Sequence, residues 1–189
     1  MKMILTLLLT LCCAAANAQR LEGTFKADKA FEEMANNYVE QMMEGMQLDF
    51  DADLNAGLSL FYMSDSITNI IIEVSAQVEK VHVDATVTFQ GIYKREGDHM
   101  TCTYSKDDMD VAVMNIESFD PEVSQMLKDN GDMVYGVAEE QLRRAVEPHA
   151  DKLYKATGYF KDYDILELTE NTLRIRLEEG LEINLKRPE

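Results

Sequence analysis

The chain has 189 residues, with 35 acidic against 18 basic side chains and a net charge of −17 at neutral pH. A field of that sign repels phosphate backbones and anionic lipid surfaces, which argues against a nucleic-acid-binding or peripheral membrane protein. Three cysteines are too few for a disulfide-stapled scaffold, and the absence of tryptophan removes the usual platform for stacking sugars.

Residues 1–18 read as a secretory leader. Lys2 supplies the positive end, "MILTLLLTLCC" the apolar stretch, and Ala16, Asn17 and Ala18 the small residues before a cut at Gln19. That stretch is too short to span a bilayer, and no later apolar run is long enough to do so. Leu11 stands where a lipobox wants a small residue before Cys12, so a cleaved periplasmic or secreted protein is favoured over a lipid-anchored one. Residues 19–189 then have the size of one domain. Cys102 is the one cysteine in that span, and it alternates with Met100 and Tyr104 in "HMTCTYS". This is the setting of a small buried hydrophobe on a strand, not of a reactive nucleophile.

"LEGTFKA" opens the domain as a short strand. In "DKAFEEMANNYVEQMMEGM", Phe31, Met34, Ala35, Tyr38, Met42 and Gly45 recur at three- and four-residue steps, which predicts an amphipathic helix. Thioethers suit Cu(I), but Met34, Met42, Met43 and Met46 do not share one face, and gap-filling in an apolar stripe explains them. "DFDADLN" then puts an acid at alternate positions. A calcium loop starting at Asp49 would need glycine sixth and glutamate twelfth, where Leu54 and Leu60 stand. A strand explains more: Leu48, Phe50, Ala52, Leu54, Ala56, Leu58, Leu60 and Tyr62 form its apolar face, opposite Asp49, Asp51, Asp53, Asn55, Gly57 and Ser59.

Beyond a turn at Ser64–Ser66, Ile70, Ile72, Val74, Ala76 and Val78 alternate on even positions. Around Glu79 and Lys80 the phase changes, and Val81, Val83, Ala85, Val87, Phe89, Gly91 and Tyr93 continue on odd ones, which marks a turn or bulge. "KREGD" reads as a hairpin loop, "HMTCTYS" as a strand, "KDD" as another turn and "MDVAVMNI" as a further strand. Loops this short make neighbouring strands antiparallel.

The period changes at "FDPEVSQMLKDNGD". Asp120 is a natural N-cap, Pro121 suits the first helical position, Glu122 favours the first turn, and Asn130 with Gly131 closes the helix. A second helix follows, with Val134, Ala138, Leu142 and Ala145 on one stripe and a kink or end at Pro148. The helical insert therefore occupies about 120–153. Strands return in "YFKDYDILEL", "NTLRIRLEE" and "LEINLKR", with hairpin turns at "TEN" and "EEG". The expectation is a mainly β protein: an antiparallel up-and-down barrel or strongly curled sheet with an N-terminal helix and a helical insert.

No catalytic signature accompanies this pattern. His82, His99 and His149 have no common metal-ligand spacing, and neither "HExxH" nor "GxSxG" occurs. No glycines lie between strand and helix as a phosphate cradle requires, and no pair of acids is placed across a cleft by its spacing. A non-enzymatic protein without metal or cofactor is expected.

Gly23, Thr24 and Phe25 in the opening strand, Gly91 and Tyr93 before the middle hairpin, and Leu168, Thr169 and Leu173 in the final hairpin carry a family likeness. With the strings around them, they resemble the lipocalin-like domains of exported proteins from Bacteroidetes-type bacteria. Phe25 stands where those domains usually have tryptophan. The resemblance implies a small apolar ligand held in the barrel. Tyr62, Phe89, Tyr93, Met100 and Tyr104, on apolar strand faces with bulk and some polarity, are the candidate lining residues. The alternative is an envelope interaction or structural module, its barrel filled by its own side chains, that holds a protein partner on its outer surface or through the helical insert, whose "EEQLRRAVE" stretch mixes acids and bases.

Overall fold

The computed structural model describes residues 21–29, 31–33, 36, 52–63 and 66–188. The expected leader, most of the expected N-terminal helix, and Asp49 and Asp51 lie outside them. Lys29, Phe31, Glu32, Glu33 and Asn36 are helical, as the spacing predicts for that stretch.

Eight antiparallel strands form one closed barrel in which each strand pairs with the next in sequence. They are β1 (Gly23–Ala27), β2 (Ala52–Tyr62), β3 (Ile67–Val78), β4 (Val81–Glu96), β5 (His99–Ser118), β6 (Asp162–Leu168), β7 (Thr172–Leu177) and β8 (Glu182–Lys186). Lys26 opposite Lys186 and Ala27 opposite Leu185 join the first strand to the last. Between β5 and β6 lie helix α1 (Pro121–Val146), a 3-10 turn at Glu147–His149, helix α2 (Ala150–Thr157) and a second 3-10 turn at Gly158–Phe160. The expected mainly β class and the expected barrel are both present.

The strands differ in length, and that shapes everything else. β1, β6, β7 and β8 have 5, 7, 6 and 5 residues, whereas β2 to β5 have 11, 12, 16 and 20. The ring therefore closes at one end only, and at the other β2–β5 continue as a four-stranded sheet. β5 pairs with β6 only through His99, Met100 and Thr101. Its remaining length would be a bare edge, open to pairing with another chain.

The helical insert runs back along that edge. The backbone N–H of Ile116 donates to the Tyr135 hydroxyl at 2.9 Å and that of Val113 to the Glu139 carboxylate at 3.2 Å. Arg143 donates to the Val111 carbonyl at 3.5 Å, the Tyr154 hydroxyl to the Tyr104 carbonyl at 3.1 Å, and the Cys102 N–H to the Lys161 carbonyl at 2.6 Å. As one partner descends β5, the other ascends the insert, so four side chains and one backbone carbonyl replace the missing strand. This satisfies polar backbone groups whose burial unpaired would cost about 1–3 kcal/mol each. At the opposite edge, Asn36 accepts from the Ala56 N–H.

Four local outcomes refine the sequence reading. "KDD" is not a chain-reversing turn: β5 runs continuously from His99 to Ser118, and Ser105–Asp108 bulge opposite the single residue Gln90 of β4. A polar Lys-Asp-Asp run satisfies a bulge as well as a turn, since both present side chains to water. The phase change at Glu79–Lys80 is a two-residue turn with Val78 opposite Val81. Gly57 and Ser59 belong to the polar face of β2, yet both are buried. Lys26 and Glu73 cover them with an ion pair at 2.6 Å, and Ser59 donates to Glu73 at 2.7 Å. Finally, Asn130 does not end the helix. Its φ of −136° makes a kink, and the chain continues helically to Val146, with Asp120 capping the start as expected.

Candidate ligand site

The closed end of the barrel is solid. Phe25, Leu60, Tyr62, Ile70, Met100, Tyr163, Leu173, Ile175 and Leu185 are all fully buried side chains. They come from the inward alternation of seven of the eight strands, which points successive inward residues at one axis. Each buried large apolar side chain adds roughly 1.5–3 kcal/mol.

A polar cluster sits inside this packing. The Tyr62 and Tyr163 hydroxyls share a hydrogen bond of 2.5 Å, and the Cys102 thiol donates to the Tyr163 oxygen at 3.7 Å. The Tyr104 hydroxyl and Thr68 Oγ1 come close to one another, but neither makes a hydrogen bond of good geometry. Burial pushes the phenols of Tyr62, Tyr104 and Tyr163 far above their ordinary range, and it raises the Cys102 thiol. All four groups therefore stay protonated at neutral pH. None has the lowered pKa of an activated nucleophile.

Four of the five residues singled out by sequence reside in this packing. Tyr62, Met100 and Tyr104 belong to the main core cluster, with Tyr93 packed against it. Tyr93 meets the Tyr62 ring edge-on at 5.5 Å and donates to the Met63 carbonyl at 3.0 Å. Phe89 belongs to a second cluster with Val87, Val111 and Leu153. The barrel thus gathers the residues, but as mutual packing partners; none of the five borders either of the two cavities described next.

The larger cavity, about 770 Å³, lies at the mouth of the closed barrel. Its inner wall is Leu58 and Ile70 of the barrel with Phe31 of the N-terminal segment. α2 and the following 3-10 turn form one lip, through Lys152, Lys155, Tyr159 and Phe160, and the β7–β8 turn forms the other, through Leu177, Glu178, Glu179 and Leu181. The chain places these residues for evident reasons. α2 turns its apolar side inward through Ala150 and Leu153, which puts Lys152 and Lys155 toward water. The tight β7–β8 turn uses Gly180 at φ +86°, and it leaves Glu178 and Glu179 exposed. No opposite charge among the described residues lies within ion-pair distance of any of these four.

A smaller recess of about 150 Å³ adjoins it, between the inner face of the extended sheet and the helical insert. Its walls are Val74, Ala76, Val83 and Ala85 from the sheet with Leu142 and Val146 from α1.

The chain matches no protein-family model, no curated protein and no solved structure. Among the described residues, no three His, Cys, Asp or Glu side chains come together as a metal site. His82 pairs with Asp84 and His99 with Asp164, each at 3.0 Å, as separate surface contacts. No helix among the described residues is long and apolar enough to cross a membrane.

Alternation does not reveal the mouth cavity, because its lips come from a turn, a short helix and a 3-10 turn. A signal is present in retrospect. Leu181 continues the apolar phase of Ile183 and Leu185, yet it is 44% exposed at the cavity, just before β8 begins.

Proposed function

We propose that the protein is an exported, non-enzymatic binding protein for a small amphipathic molecule, held in the mouth cavity with its charged end at the rim. The observation that carries this reading is the 770 Å³ volume itself, apolar within and charged only at its lips. Its size falls in the range of small-molecule sites, which are usually apolar chambers with a few placed polar groups. The leader sequence supports export. The resemblance of the Gly23–Phe25, Gly91–Tyr93 and Leu168–Leu173 strings to lipocalin-like domains supports ligand carriage, here at the mouth of the barrel rather than among the packed aromatics within it.

The ligand's end group is anionic on this reading. Lys152 and Lys155 stand one helical turn apart on the α2 lip, where a carboxylate or phosphate reaches both. The Lys152→Glu/Lys155→Glu double variant should weaken binding of a long-chain carboxylate at least tenfold while leaving an uncharged alcohol of the same length almost unaffected. Isothermal titration of both compounds against the purified protein measures this. Failure of wild type to bind either one, together with a clean apo mass for protein taken from its native envelope, would remove the carrier reading.

One observation favours the alternative of an envelope interaction module. Met133 and Val137, one turn apart on α1, are 64% and 59% exposed, and no residue of that helix is buried. Deleting the insert would uncover the β5 edge, so point changes make the better probe. On this alternative, Met133→Glu/Val137→Glu abolishes capture of an envelope protein without lowering the melting temperature, and unchanged capture rejects it.

A further inference from the structure

The two cavities are neighbours with common walls: Ile72 of β3 and Leu153 of α2 border both. The mouth cavity has its charges at the lips and becomes apolar toward this pair. Beyond the pair, the recess is bordered by aliphatic side chains and Thr86 alone. A polar ligand has nothing to bond to there, whereas an apolar volume of this size accepts a benzene-sized group. The recess also lies outside the closed barrel, between the extended sheet and the helical insert, so its existence depends on how the insert covers that sheet.

We infer that the bound molecule is an unbranched acyl chain whose far end passes between Ile72 and Leu153 into the recess. Those two side chains then act as the gauge of chain length. This rests on the reading of the mouth cavity as the ligand site, and it adds the class of ligand and the residues that select it. The chain's anionic end stays with Lys152 and Lys155, its middle crosses Leu58 and Ile70, and its terminal methylenes displace empty volume among Ala76, Val83 and Val146. The helical insert thereby becomes part of the binding site rather than only a cover for β5.

The test is a ladder of saturated straight-chain carboxylates from octanoate to stearate, titrated calorimetrically against wild type and Ala76→Phe. The added ring fills the recess without touching the mouth. In wild type, affinity should rise about fourfold with each methylene that becomes buried, including those beyond the length that fills the mouth. In Ala76→Phe the short chains should keep wild-type affinity, the rise should stop early, and stearate should bind at least tenfold more weakly. Val146→Phe, which fills the same space from α1, should give the same profile; it serves if the first variant does not melt cooperatively. Identical chain-length profiles in wild type and a folded variant would overturn the inference while leaving the mouth site standing. No binding of any chain to wild type would overturn both.

Discussion

Phe25→Ala is expected to lower the free energy of unfolding by about 3–5 kcal/mol, the range for removing a fully enclosed aromatic side chain. Phe25 has no exposed surface. Its ring meets Tyr62 edge-on at 6.3 Å, and the Arg187 guanidinium lies 4.4 Å from its centroid. It sits on β1, whose backbone pairs with both β2 and β8, so the loss falls at the seam of the barrel. The surrounding strands cannot collapse into the space without breaking that seam, which places the effect in the upper part of the range. Urea unfolding measures it as a lower midpoint at unchanged slope. A loss below about 1 kcal/mol would mean that the seam does not depend on this ring.

Gly91→Ala is expected to cost about 3 kcal/mol, at the top of the range for overpacking. A β-carbon at this position would lie 2.5 Å from the Thr103 carbonyl oxygen and 2.7 Å from the Tyr104 ring. The first is backbone of the paired strand and cannot rotate away, and the second belongs to the packed core. Gly91 also borders the bulge where β5 takes extra residues opposite Gln90, so displacement of Thr103 would disturb the register of the two longest strands. Gly136→Ala on α1 is the control. Nothing approaches within 4 Å of a β-carbon there, and the helix gains up to about 1 kcal/mol. Thermal melts of the two variants should move in opposite directions, and a neutral Gly91→Ala would contradict the close approach.

The strands were legible because most of them bury one face and wet the other. Leu173, Ile175 and Leu177, then Ile183 and Leu185, alternate in sequence and are buried in the barrel. Alternation does not distinguish a closed barrel from a curled sheet for a physical reason: the pairing of Lys26 with Lys186 is a property of curvature, and no local pattern encodes it. The Lys106–Asp108 run misled because turns and bulges select the same polar residues. Ser59 is buried because Glu73 of β3 and Lys26 of β1 cover a position that alternation assigns to water. Asn130 disrupts helical geometry for one residue, which a C-cap signal describes too strongly. The candidate site was least legible. Tyr62, Phe89, Tyr93, Met100 and Tyr104 combine bulk with some polarity on apolar faces, and residues of that kind also fill a solid core. The mouth and its charged lips arise where three irregular segments converge, and periodicity says nothing of such places.

The seam between β1 and β8 has a consequence in time as well as in space. Its paired residues, Lys26 and Lys186, come from opposite ends of the described chain. Neighbouring hairpins such as β3–β4 form by local search, but this last pairing waits on the whole chain. Proteins dominated by such distant contacts fold in milliseconds to seconds rather than microseconds. Until β8 docks, β1 and β7 both present unpaired backbone, and the pairing of Lys26 with Lys186 decides when that vulnerability ends.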